Sequence, residues 1–338
     1  MSETISSKSG ERPIAVLVDR EGLGDCLLKL PFLRAIRRGF PERPIWWIAT
    51  HQTSMANELA PFMTTLIDRV IDHAGLTGRS RAVRERLRQL PPFDLVFDSR
   101  THVPSVLLAR ALLTHSGFFA CLPGYVLSTR RPPSRWTRPR NIAERMLSLA
   151  EAALGRPGDW QGTLEVSPAA SALAAQRLPP GPRYVGLAIG SREVRKNWPM
   201  ERYVALAQAL EAAGRTPVFL IVPQERELLE QLRKAVPSAL FPEAIPVDPA
   251  LGMARLEFAI ALCHRLSAAV ANDSGIGHVM GAVGTPLVTL FGPTDAARWA
   301  PFTSAGIIVR AQQFGGEAME AIPVDAVLRA IERLSAHS

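Results

Sequence analysis

Short apolar runs alternate along this chain with longer stretches in which apolar residues recur every three or four positions. Ile14 to Val18 (IAVLV) has no polar position and reads as a strand buried on both faces. A polar, glycine-bearing loop follows. Leu27, Leu30, Leu33 and Ile36 then mark one face of a helix from Cys26 to Arg38, in which Pro31 predicts a kink or a late start. The alternation continues with strands at Ile45–Ile48, Arg69–Ile71 and Leu95–Phe97. Helices are predicted after His51, over Arg79–Leu90, over Pro104–Leu113 and over Asn141–Leu154. A second series has strands at Tyr184–Ile189, Pro217–Val222, Leu266–Val270, Leu287–Phe291 and Ile307–Val309. Its helices fall at Met200–Ala213, Gln224–Ala235, Leu256–His264, from about Gly275 to Gly284, and at Val324–Leu334. Strands alternating with helices predict an α/β protein with parallel sheets covered on both faces.

Two stretches break the pattern. Ser128 to Arg140 (STRRPPSRWTRPR) carries five arginines, three prolines and no acid, so it is no regular core element. It reads either as a surface loop or as a flap in which Arg130, Arg131, Arg135 and Arg138 grip a phosphorylated or carboxylated acceptor. Gly155 to Pro182 is rich in Pro, Gly and Ala, and the link between domains is expected within it. The expected division is a domain at 13–165, a second at 175–322, and a closing helix and tail at 323–338. A length of 338 residues suits two domains.

Composition narrows the function classes. With 47% hydrophobic residues there is material for two cores, but no apolar run has the length of a membrane span. The first dozen residues lack the apolar segment of a secretory signal, which leads to an expectation of a cytoplasmic protein. Cys26, Cys121 and Cys263 are isolated, with no CxxC pair, so neither a zinc site nor a disulfide framework is indicated. The net charge of +8 suits an acidic partner. A phosphorylated substrate or an anionic membrane surface fits, whereas no zinc-finger, helix-turn-helix or RNA-recognition signature points to nucleic acid. The same basic surface can hold the protein at the inner face of the inner membrane by charge.

Candidate chemistry sits in the loops that follow strands. Asn272-Asp273-Ser274-Gly275 ends one strand and opens a helix, with Asp273 and Ser274 as candidate caps. Gly275, Gly277 and Gly281 leave room for a ligand at that helix start, where free N–H groups favour an anion such as diphosphate. Leu287 to Phe291 then runs into Gly292-Pro293-Thr294-Asp295. The first strand ends in Gly22-Leu23-Gly24-Asp25, which is neither a dinucleotide fingerprint nor a Walker loop. A third loop holds Ser191 and Lys196-Asn197-Trp198-Pro199. No Asp-x-Asp pair occurs to hold a divalent metal.

Taken in order, Gly22-Leu23-Gly24-Asp25 with Pro31, Lys196-Asn197-Trp198-Pro199, and Asp273-Ser274-Gly275-x-x-His278 with Phe291-Gly292-Pro293-Thr294 resemble the family-9 glycosyltransferases. The likeness runs from about Ile14 to Leu334. It implies a GT-B fold of two Rossmann-like domains facing across a cleft. It also implies metal-independent, inverting transfer of a sugar, most often heptose, from a nucleotide sugar such as ADP-heptose. The acceptor implied is a lipopolysaccharide core or a similar acidic glycolipid. No cofactor is implied beyond the nucleotide-sugar co-substrate. Residue by residue, Asp25 matches the general base, beside Gly24, and Lys196 the phosphate-binding lysine. Gly24, Ser191, Lys196, Asp273, Ser274, Gly275 and His278 are the residues expected at the donor site. The chain departs from the commonest pattern at Ile276, and it carries Glu21 within the first loop. A GT-B nucleotide-sugar epimerase and a non-catalytic nucleotide-sugar-binding protein are the alternatives from other classes.

Overall fold

The structure, a computed structural model, describes residues 12–133, 137–181, 183–221 and 227–336. The chain divides into two compact units, at 1–161 and 162–338.

The first unit runs β1 (Ile14–Val18), α1 (Leu23–Leu27), α2 (Leu30–Gly39), β2 (Ile45–Ala49), α3 (Ala60–Met63), β3 (Arg69–Ile71), α4 (Arg81–Gln89), β4 (Phe93–Asp98), α5 (Val103–Leu112), β5 (His115–Ala120) and α6 (Ile142–Leu154). Its five strands are parallel in the order β3-β2-β1-β4-β5. β1 is central and wholly buried, as its unbroken apolar run requires. The expected single helix over 26–38 is two helices. α1 ends at Leu27, and α2 restarts with Pro31 in its first turn, where the missing N–H costs no hydrogen bond. Asn141 caps α6 by accepting from the Ala143 and Glu144 N–H groups at 2.9 and 3.3 Å, and Gly155 ends it in the left-handed region at φ 71°. Strand β5 was not foreseen, because His115-Ser116-Gly117 breaks the apolar run before Phe118 and Phe119.

The second unit runs α7 (Pro168–Arg177), β6 (Tyr184–Ala188), α8 (Met200–Ala212), β7 (Thr216–Leu220), α9 (Leu229–Ala235), α10 (Arg255–Cys263), β8 (Ala268–Asn272), α11 (Gly275–Val283), β9 (Leu287–Phe291), α12 (Ala296–Trp299), β10 (Gly306–Arg310) and α13 (Val324–Ser335). Its parallel strands lie in the order β10-β9-β8-β6-β7. The segment read as a link is in part structured. Ser167 accepts from the Ala170 N–H at 3.2 Å to start α7, which packs on α10. The alanine-rich composition that suggested a linker is here a thin helix face against another helix. The closing helix α13 buries Val327, Ala330, Ile331 and Leu334 in the second unit's core. Among the described residues no helix is long and apolar enough to cross a membrane.

Each sheet has one place where the strand order reverses. In the first unit the chain leaves β1 toward β2 and β3, then returns to β4 on the other side. In the second it leaves β6 toward β7, then returns to β8. The loops beyond the carboxyl ends of two such neighbouring strands diverge and open a crevice, where open α/β sheets bind ligands. The crevices therefore belong to the loops after β1 and β4, and to the loops after β6 and β8.

Candidate active site

The second unit's crevice is built around buried Asn272, the last residue of β8. Its Oδ1 accepts from the Trp198 N–H at 3.2 Å and the Tyr203 hydroxyl at 3.1 Å, and its Nδ2 donates to the Ile189 carbonyl at 2.8 Å. One amide thus ties the loop after β6 to the end of β8. Trp198 is held at its other edge, its indole N–H donating to the Ile322 carbonyl at 3.0 Å. Trp198 and Tyr203 pack edge to face at 5.0 Å.

On this support a single helical turn, Val194–Lys196, carries Lys196 toward Asp273. The Lys196 ammonium donates to Asp273 Oδ2 at 3.0 Å and lies 3.2 Å from Glu193 Oε1. Thr294, in the loop after β9, donates its hydroxyl to the same Asp273 oxygen at 2.9 Å. Partial burial opposes the charge on Lys196. The hydrogen bonds and attraction of Asp273 and Glu193 outweigh it, so the ammonium titrates above its ordinary value. Ser191 does not reach these groups; its hydroxyl donates to the Glu193 carbonyl at 2.7 Å.

Helix α11 starts at Gly275, but its expected side-chain cap is absent. Ser274 occupies the cap position with extended backbone and makes no cap hydrogen bond, and its buried Oγ has no partner among the described residues. Asp273 is turned to Lys196 and Thr294 instead. The first turn of α11 is therefore a set of N–H donors without a side-chain acceptor, beside a cation and an unpartnered hydroxyl. Gly277 lets the helix sit close on β8: a Cβ there would lie 3.1 Å from the Asn272 carbonyl and 3.2 Å from the Ala271 Cβ. His278 is buried, and its Nδ1 has no partner among the described residues. Burial pushes its pKa down to about 4; Lys196 adds to the effect and Asp273 opposes it, so the ring is neutral at ordinary pH. Lys196, Asp273, Ser274, Gly275 and His278, drawn from two distant sequence segments, thus meet at one strand edge. Glu193 and Thr294 join them, and nothing in sequence spacing singled out Glu193.

The first unit's crevice holds Asp25. It is the third residue of α1, partly buried, and its Oδ2 accepts from the Gly22 N–H at 3.3 Å. Gly24 accepts from the Leu28 N–H at 3.0 Å within the same turn. The unit holds two buried ion pairs that sequence spacing did not single out, one flanking this loop and one at the end of β4. Glu21 and Lys29 are 5% and 6% exposed and paired directly. Burial pushes the Lys29 pKa down to about 8, an effect Arg145 reinforces and Cys121 and Asp19 oppose. At the end of β4, Asp98 takes Arg100 in a two-pronged contact, Nε to Oδ1 at 2.8 Å and Nη2 to Oδ2 at 2.6 Å, and Arg100 also reaches the Leu76 carbonyl at 2.9 Å.

The arginine segment is partly committed within its own unit. Arg130 donates to the Ala153 carbonyl at 2.7 Å, near the end of α6, and Arg138 to the Cys121 carbonyl at 2.6 Å. Arg131 is exposed. Arg135 lies outside the described residues. The flap reading thus loses part of its donor set to backbone carbonyls. Among the described residues no group of three or more His, Cys, Asp or Glu side chains converges as a metal site.

The sequence profile of glycosyltransferase family 9 (heptosyltransferase) matches residues 80–320. The chain belongs to glycosyltransferase family 9. Lipopolysaccharide heptosyltransferase 3 of Escherichia coli K12 is 24% identical over 302 residues, covering 83% of each chain. Lipooligosaccharide heptosyltransferase 2 of Haemophilus influenzae is 30% identical over 115 residues, a match covering 34% of this chain and 32% of that protein. Among solved structures, a family-9 glycosyltransferase from Veillonella parvula superposes with a TM-score of 0.67 at 19% identity, covering 97% of this chain and 98% of that one. The E. coli heptosyltransferase WaaC with ADP gives a TM-score of 0.65 at 20% identity, covering 95% and 99%. The family-9 chain therefore has the GT-B fold expected from its motifs, with two parallel five-stranded α/β units.

Proposed function

We propose that this family-9 protein transfers a heptose from ADP-heptose to a lipopolysaccharide core or a similar acidic glycolipid, with inversion and without a metal. The observation that carries the donor half is the uncapped start of α11 beside Lys196. A helix N-terminus with an unpartnered Ser274 hydroxyl and a lysine cation offers what a departing diphosphate needs: N–H donors and a positive charge fixed before the reaction. Asp273 and Glu193 hold the ammonium in place until phosphate oxygens compete for it. Neutral, buried His278 can donate a hydrogen bond to the donor without adding charge. The names of the E. coli relatives, a lipopolysaccharide heptosyltransferase and a heptosyltransferase bound to ADP, support the choice of sugar and nucleotide.

In the first unit, Asp25 takes the proton from the acceptor hydroxyl as that oxygen attacks the anomeric carbon. The C–O bond to the diphosphate breaks on the opposite face, and ADP leaves with its charge met by Lys196 and the α11 amides. The basic surface of the chain, including Arg131, favours an acidic, membrane-borne acceptor approached from the cytoplasmic side. The test is turnover of ADP-heptose with heptose-free lipopolysaccharide, the product identified by mass spectrometry and the reaction repeated in EDTA. The reading requires a heptosylated lipid, ADP release and EDTA resistance. Calorimetry showing no ADP binding, or a rearranged sugar formed without acceptor, would overturn it.

A further inference from the structure

We infer that the buried Glu21–Lys29 ion pair is a staple that clamps both ends of the short helix carrying Asp25, and so acts as a positioning pair for the base. The inference rests on the assignment of Asp25 as that base. Helix α1 is only five residues long, Leu23–Leu27, too short to be stable by its own hydrogen bonds. Glu21 lies just before its cap residue Gly22, and Lys29 just after its last residues. Their side chains close the loop through a direct carboxylate–ammonium contact. Glu21 is itself anchored: its N–H donates to the Gln52 carbonyl at 3.0 Å, and its carbonyl accepts from the Ser54 N–H at 3.1 Å, in a bridge to the residues after β2. Its second carboxylate oxygen lies 3.9 Å from the Cys26 thiol, which also contacts the Thr53 hydroxyl at 3.5 Å. Lys29 is equally fixed, as the residue that opens α2 and accepts from the Leu33 N–H at 3.0 Å. The pair thus joins the two ends of α1, one anchored on the segment after β2 and the other on the start of α2.

The physical argument is one of cost. Taking two charges out of water is unfavourable, and a packed apolar pair of similar volume often does as well or better for stability. A buried ion pair is directional, however. Its geometry specifies one arrangement of the flanking backbone, whereas apolar contacts tolerate sliding. Asp25 sits four residues from each partner, at the middle of the clamped span. A base must reach its hydroxyl within hydrogen-bond distance, so small displacements of this turn fall on the chemical step.

The experiment compares Lys29→Met, Glu21→Gln, the double variant Glu21→Gln/Lys29→Met, Lys29→Arg, Asp25→Asn and Asp25→Asn/Lys29→Met. Each is assayed with ADP-heptose and heptose-free lipopolysaccharide below its melting temperature. We expect the two single neutral variants to lose about 10- to 100-fold in kcat. Both KM values and ADP affinity should stay within about threefold, with Lys29→Arg recovering most of the rate. Lys29→Met should cost nothing further on top of Asp25→Asn, because the staple acts through that carboxylate; an added loss of the same size would mark a general structural effect and overturn the inference. Should a single variant fail to fold, the neutral double variant, which leaves no unpaired buried charge, carries the comparison. Hydrogen exchange provides a readout independent of any substrate. The amides of 22–29 should exchange at least about tenfold faster in the neutral variants, while β1 and β2 keep their protection. Unchanged exchange there, or unchanged kcat in a folded variant, rejects the staple. Full activity of Asp25→Asn instead rejects the base assignment and leaves the exchange result to decide the staple alone.

Discussion

The two crevices occupy equivalent places in their sheets and are furnished in opposite ways. At the reversal between β1 and β4 the polar groups are paired with one another and buried: Glu21 with Lys29, Asp98 with Arg100. At the reversal between β6 and β8 the backbone is braced by Asn272 and Trp198, while the first-turn amides of α11, the Ser274 hydroxyl and His278 Nδ1 have no side-chain partner among the described residues. In the first crevice the buried charges satisfy one another, and in the inference drawn above the Glu21–Lys29 pair holds the turn that carries Asp25. The second leaves donors unsatisfied for a ligand to satisfy. A base needs geometry, since proton transfer tolerates little displacement; a diphosphate site needs unmet donors and charge.

Four substitutions and one titration test that contrast. The largest effect is expected from Asp25→Asn, which removes the proton acceptor. Turnover should fall by about 10²- to 10⁴-fold with ADP affinity within twofold, as measured by product release and calorimetry. Next comes Arg100→Leu, which strands the buried Asp98 carboxylate. Denaturant unfolding should show a loss of about 3–5 kcal/mol, and a loss below about 1 kcal/mol would contradict the reading of this pair as fully buried and coupled. Lys196→Ala should weaken ADP binding and lower turnover together by about 10²-fold, a combined loss that separates it from Asp25→Asn.

The fourth test is a titration of stability. The unfolded His278 takes up a proton near its ordinary value of 6.5, but in the folded protein it resists protonation down to about 4. The stability it contributes is therefore complete above about pH 6.5 and is lost as the pH falls toward 4. The melting temperature should drop more steeply across that window in the native chain than in His278→Gln. Equal slopes would mean the ring is solvated rather than buried and neutral. Smallest of all, Ser274→Ala should change stability by under about 0.5 kcal/mol, because there is no cap bond to lose, where a working serine cap is worth about 1 kcal/mol. The same variant should weaken ADP binding if the hydroxyl is kept for phosphate.

Local pattern carried much of this molecule. The unbroken apolar run Ile14–Val18, and Leu287–Phe291 with Thr289 as its one polar position, become fully buried strands, and Gly284 ends α11 at φ 89° as its position foretold. Where the pattern was interrupted it misled: β5 was hidden by His115-Ser116-Gly117, and α7 by a composition typical of linkers. The arginines of 128–140 read either as a surface loop or as a gripping flap; Arg130 and Arg138 donate to carbonyls at Ala153 and Cys121, partners that no spacing rule connects to them.

By itself the sequence determined the α/β alternation, the family motifs and the place of Asp25, Lys196 and Asp273 in segments that follow strands, because periodicity and short motifs are local properties. Only the tertiary structure decided strand order, and with it which loops share a crevice. It alone turned Asp273 from a helix cap into the partner of Lys196 and Thr294 and left the Ser274 hydroxyl without a partner among the described residues. It also joined Glu21 to Lys29. Those outcomes depend on which side chains meet after the sheets assemble, and a charged group takes the partner that burial brings to it rather than the nearest one along the chain.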